Sequence, residues 1–67
     1  MYEMNLKIAQ NYFDTLILDY EFTESIGGFI PHVSCRVLRD GNYLTRFTAT
    51  DRKQAIEKFM SGEYKKN

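Results

Sequence analysis

The chain holds one histidine, His32, and one cysteine, Cys35, and nucleophilic chemistry would have to start from these two. A thiol becomes an effective nucleophile when a base within hydrogen-bond reach takes its proton. Both residues fall in Phe29 to Leu38, a run that reads as one strand. Side chains three apart on a strand point to opposite faces, so the pair cannot meet unless Pro31 introduces a bulge between them, and Cys35 reads instead as a small buried hydrophobe. A metal site needs three or four converging ligands, and His32 is the single good candidate, so neither metal nor cofactor is expected. Gly27-Gly28 and Gly62 lack the strand-loop-helix setting of a phosphate-binding loop. Asp19 and Glu21 remain as a carboxylate pair. Arg36 and Arg46 fall on the same expected face, which favours surface ion pairing over acid-base catalysis. The expectation is a protein that is not an enzyme.

The elements that position these residues centre on Arg39-Asp40-Gly41-Asn42. Asp-Gly between two runs rich in Val, Leu, Tyr, Thr and Phe is a hairpin signal, because glycine supplies the positive φ at no steric cost. A two-residue loop would set Val33, Cys35 and Val37 beside Leu44, Arg46 and Thr48. A three-residue loop closed by Gly41 pairs Leu38 with Asn42 and sets the same valines and cysteine beside Tyr43, Thr45 and Phe47. The second register makes one face apolar and is the expectation. Thr15 to Thr23 alternates with Leu16, Leu18, Tyr20 and Phe22 on one side and Ile17, Asp19 and Glu21 on the other. If Phe22 opposes Phe29 across the Gly27-Gly28 loop, its apolar side joins the same face. Pro31 cannot donate to a ladder, which calls for a bulge or a solvent-facing nitrogen at the start of the second strand.

Two helices complete the reading. From Met1 to Asp14, strand-like alternation fails at Ala9, Tyr12 and Phe13, whereas Tyr2, Leu6, Ala9 and Phe13 align at helical spacing, with Met4 and Ile8 widening the stripe toward a second partner patch. After the third strand, Thr50-Asp51 and Gln54 form a capping-box-like start, Ala55, Ile56, Phe59 and Met60 form a buried stripe, and Gly62 ends the helix. The predicted fold class is α+β, a two-layer α-β-β-β-α domain over residues 1–64. Its three-stranded antiparallel meander has both helices on one face, and residues 65–67 form a disordered tail.

Sixty-seven residues make one domain, which buries about 60% of the surface of its unfolded chain. A lone cysteine excludes an intrachain disulfide framework and suits a reducing compartment. No apolar run approaches the roughly 18 residues of a membrane helix, so a soluble, cytoplasmic protein with no membrane partner is expected. Net charge is zero but divided: residues 1–30 set one lysine against five acids, and residues 31–67 set eight Lys or Arg against four acids. Zero net charge argues against a large unspecific attraction to nucleic acid.

The segment Tyr20 to Met60 resembles a double-stranded RNA-binding domain. Gly28-Phe29-Ile30-Pro31-His32 is similar to that family's Gly-Pro-x-His loop, and Arg52-Lys53-Gln54-Ala55 matches the first four positions of its Lys-Lys-x-Ala-Lys helix motif, with Ile56 at the fifth. That resemblance implies nucleic-acid contacts by His32, Arg52 and Lys53 across an RNA groove. The element order also resembles small phage-encoded inhibitors of the anti-CRISPR kind, on Arg36-Val37, Asp40-Gly41-Asn42 and Ala55-Ile56-Glu57-Lys58-Phe59. It implies a phage or mobile-element protein that covers a functional surface of a larger host protein or nucleoprotein complex. The leading expectation is therefore a non-enzymatic protein-binding module using Asp19, Glu21, Arg36, Leu44 and Arg46. The alternative is a small nucleic-acid binder, and the free edge of the third strand leaves a homodimer as a third option.

Overall fold

The computed structural model describes residues 2–25 and 27–65. Four strands, β1 (Tyr2–Gln10), β2 (Asp14–Glu24), β3 (Ile30–Arg39) and β4 (Asn42–Ala49), form one antiparallel sheet in the order β1-β2-β3-β4. Helix α1 (Arg52–Ser61) and a 3-10 turn (Glu63–Lys65) follow. The class is α+β, with four strands and one helix where three strands and two helices were expected.

The difference lies in the first segment, which is strand β1 and not a helix. Two bulges interrupt its pairing with β2, between Glu3 and Leu6 and between Lys7 and Ala9. A bulge sets two residues against one, so adjacent Ile8 and Ala9 both pack on the core beside Met4. That extra residue broke the alternation and imitated a helical period. Met4 and Ile8, set aside as a partner patch, are thus partly buried against the core.

The core is one layer between sheet and helix: Leu16, Leu18, Val33, Cys35, Val37 and Ala49 from the strands, Ala55 and Phe59 from α1, and Tyr64 from the turn. Asp51 caps α1, its Oδ1 accepting from Gln54 N at 2.8 Å, and Gln54 Oε1 accepts in return from Thr50 N at 2.7 Å. Gly62 ends the helix in the left-handed region, as its spacing predicted. Met60, expected in the buried stripe, is 62% exposed. Lys65, expected in the tail, belongs to the 3-10 turn; Lys66 and Asn67 lie outside the described residues.

The β3–β4 turn has two central residues, with Asp40 at φ 52 and Gly41 at φ 81, and pairs Arg39 with Asn42, where a three-residue loop pairing Leu38 with Asn42 was expected. Two successive positive φ values give the turn whose twist matches the flanking strands. Leu38 then pairs with Tyr43, and a bulge at Leu44 restores Val37 to Thr45 and Cys35 to Phe47. The expected face survives for Thr45 and Phe47, while Tyr43, expected inside, is 61% exposed on the opposite side. A fourth displacement falls at Asp19: Leu18 pairs with Cys35 but Tyr20 with Ser34. Beyond it Tyr20 and Phe22 turn away from the core, and Glu21 pairs with core residue Val33. Pro31 has no bulge beside it, pairing with Thr23 past the end of β4.

Candidate protein-binding surface on the open sheet face

Helix α1 covers one face of the sheet and leaves the other open. Register places Thr15, Leu38 and Tyr43 in one row across the open face and Lys7, Ile17, Arg36 and Arg46 in the next. Beyond them come Tyr20, Ser34 and Thr48, then Phe22 and His32. Phe22 stacks on His32 with ring centroids 5.2 Å apart and lies 5.9 Å from Tyr20.

The charged centre of this face is Asp19, which the β2 bulge turns toward the arginines. Arg36 Nε donates to both of its carboxylate oxygens, at 2.7 and 2.8 Å, and Arg46 Nη2 donates to Oδ2 at 2.8 Å. Arg36 Nη2 also donates to Asn5 Oδ1 at 2.9 Å. Asp19 is 6% exposed, so its charge is shielded from water and needs these donors. Three of the five residues expected at the binding surface, Asp19, Arg36 and Arg46, therefore meet. The other two do not. Glu21 lies past the bulge on the helix side, and Leu44 lines a groove with Arg39, Thr45, Tyr64 and Lys65.

His32, Arg52 and Lys53, the set implied by the RNA-binding resemblance, line one open groove of about 620 Å³ at the start of α1. Glu21 and Asp51 line it as well, so the acids offset the two cations. His32 Nε2 is buried without a hydrogen-bond partner among the described residues, 3.5 Å from Glu24 Oε2. Cys35 is fully buried on the helix side, so strand parity separates it from His32 as expected. Burial, and secondarily the nearby Asp19 charge, push its thiol up to about 11. Among the described residues no group of three or more His, Cys, Asp or Glu gathers as metal ligands, and no helix is long and apolar enough to cross a membrane.

Sequence spacing missed a second polar cluster, at the other end of the sheet. Asp14, 1% exposed, accepts from Arg39 Nε at 2.8 Å and Nη2 at 3.1 Å, and from the Tyr64 hydroxyl. Asn11 Oδ1 accepts from the backbone of Phe13 and Asp14, at 3.1 and 2.8 Å, closing the β1–β2 turn. The Asn11-x-x-Asp14 spacing is the one local sign of it, since Asn side chains close such turns. The paired Arg39 guanidinium holds the Asp14 carboxyl below the usual range, and burial followed by the bond to Asp14 raises Tyr64. This cluster ties three chain segments together and leaves the carboxylate no access to a substrate. Comparisons of the chain with protein-family models, with curated proteins and with solved structures find no match.

Proposed function

We propose that this chain is a non-enzymatic protein-binding module that covers a functional surface of a larger protein with the open face of its sheet, in the manner of the small phage-encoded inhibitors it resembles. One observation carries the reading. The uncovered face sets a preorganised Asp19–Arg36–Arg46 centre between exposed Tyr43 on one side and half-buried Tyr20 and Phe22 on the other. Aromatic and Arg side chains around fixed polar groups are the composition of protein-interface hot spots. The placement of Cys35 and His32 on opposite faces supports a binding role over thiol catalysis. Tagged wild-type chain should retain a host protein that the Tyr43→Glu variant releases, with both variants equally folded by circular dichroism. Equal retention by the two would rule out the open face.

The second reading, a nucleic-acid binder, draws on the shared groove of His32, Arg52 and Lys53. Affinity for duplex RNA and DNA measured against salt separates the two, because phosphate contacts weaken steeply as salt rises. Tight duplex binding at physiological salt, abolished by Arg52→Glu, would replace the protein-binding reading.

A further inference from the structure

Arg36 and Arg46 stand directly opposite each other on β3 and β4, and like charges in that position oppose pairing. Among the described side chains Asp19 is the one acid hydrogen-bonded to them. Two guanidinium charges face one carboxylate among these described side chains, an excess of positive charge, and Lys7 extends the same row across β1. The positive centre is held still. Asp19 and Asn5 grip Arg36, and Asp19 grips Arg46 through Nη2 alone. Arg46 Nε and Nη1 have no acceptor among the described residues, and the Arg46 side chain is 49% exposed. These donors border an open groove of about 360 Å³ lined by Asn5, Asp19, Tyr20, Arg36 and Arg46. A planar donor fork with free N–H groups matches a carboxylate, and orientation by Asp19 lowers the entropy lost on binding.

We propose that Arg46 and Arg36 form a receptor for a carboxylate, so that the surface covered by the open face presents an Asp or Glu side chain to this pair. The proposal rests on the protein-binding reading and names its partner chemistry. Charge complementarity selects an acidic protein group. The cations of this face form one short row across the strands, which suits a single acid seated among aromatic neighbours. A nucleic-acid backbone needs a longer basic track.

The test titrates an end-blocked tetraglutamate peptide into the ¹⁵N-labelled full chain and follows the arginine Nε–Hε resonances. The Arg36 and Arg46 signals should move with a Kd of about 1 mM at low salt, a typical weak-ligand value. Affinity should fall at least tenfold in Arg46→Gln, and also in Arg46→Lys, which keeps the charge and loses the fork. Unchanged backbone spectra would show that both variants remain folded. Unmoved Arg36 and Arg46 signals, or equal affinity in Arg46→Gln, would overturn the carboxylate receptor. Stronger binding of an eight-residue oligothymidylate at the same signals would overturn it in favour of nucleic acid. The broader reading is judged separately: failure of the peptide while Tyr43→Glu still releases a captured protein removes the carboxylate receptor alone.

Discussion

The Tyr64 hydroxyl donates a hydrogen bond to Asp14 Oδ2, fastening the 3-10 turn that follows the helix to the first residue of β2. The Tyr64 ring also stacks on Phe59, centroids 5.3 Å apart. The bond therefore docks the end of the chain onto both the core and the buried carboxylate. Replacing Tyr64 by Phe keeps the stack and removes the donor. It should cost about 1.5–3 kcal/mol, the usual net value of a hydrogen bond to a charged group, and lower Tm by about 4–8 °C for each kcal/mol in a domain of this size. A double-mutant cycle with Asp14→Asn should show coupling, because the two residues share one bond. Additive losses in thermal melts would deny the latch.

Acid should loosen the same point. Arg39 first, and Tyr64 with it, lower the Asp14 pKa, so the folded chain binds fewer protons there than the unfolded chain. The resulting stability is fully present above the unfolded carboxylate value, about 4, and is lost as pH falls through the lower folded value. Urea midpoints measured from pH 7 to pH 2 should decline across that window, and the decline should be smaller in Arg39→Gln. An identical acid profile in that variant would assign the effect to other carboxylates.

Cys35 should be inert in the native chain. Its thiol is fully buried and raised to about 11, while thiol chemistry runs through the thiolate. Iodoacetamide at pH 8 should label it only as fast as the chain unfolds, and mild urea should accelerate labelling. Because the folded value lies above the unfolded one, the associated stability holds below about 8.5 and fades as pH rises toward 11. Rapid labelling under native conditions would place the side chain elsewhere.

The helix is held to the sheet largely by Phe59, which is 1% exposed. Phe59→Ala should cost about 3–5 kcal/mol. A chain of this length has roughly 3–10 kcal/mol in total, so the variant should be largely unfolded near 37 °C. Gly41→Ala should cost less, about 1–2 kcal/mol, the penalty for a side chain at positive φ. Circular dichroism melts of both variants rank the effects, and a milder loss for Phe59→Ala would contradict the packing described.

Composition and local spacing determined much of this protein. Alternation in Leu16 to Leu18 and Val33 to Val37, the position of the turn at Asp40-Gly41 though not its two-residue length, the Asp51 cap and the Gly62 stop were legible, because each depends on a residue's own geometry or its nearest neighbours. Strand parity alone also separated His32 from Cys35. Tertiary structure decided where the alternation slips. Bulges near Asn5, Ile8 and Asp19 turned an expected helix into β1, moved Tyr20 and Phe22 outward and sent Glu21 to the helix side, while the two-residue turn, with its bulge at Leu44, moved Tyr43 outward. Each bulge inserts a residue that reverses the parity of everything after it, and its position depends on pairing with a strand distant in sequence. The Asp14–Arg39–Tyr64 latch was hidden for the same reason: its partners are 25 and 50 residues from Asp14, and only the folded sheet sets them side by side.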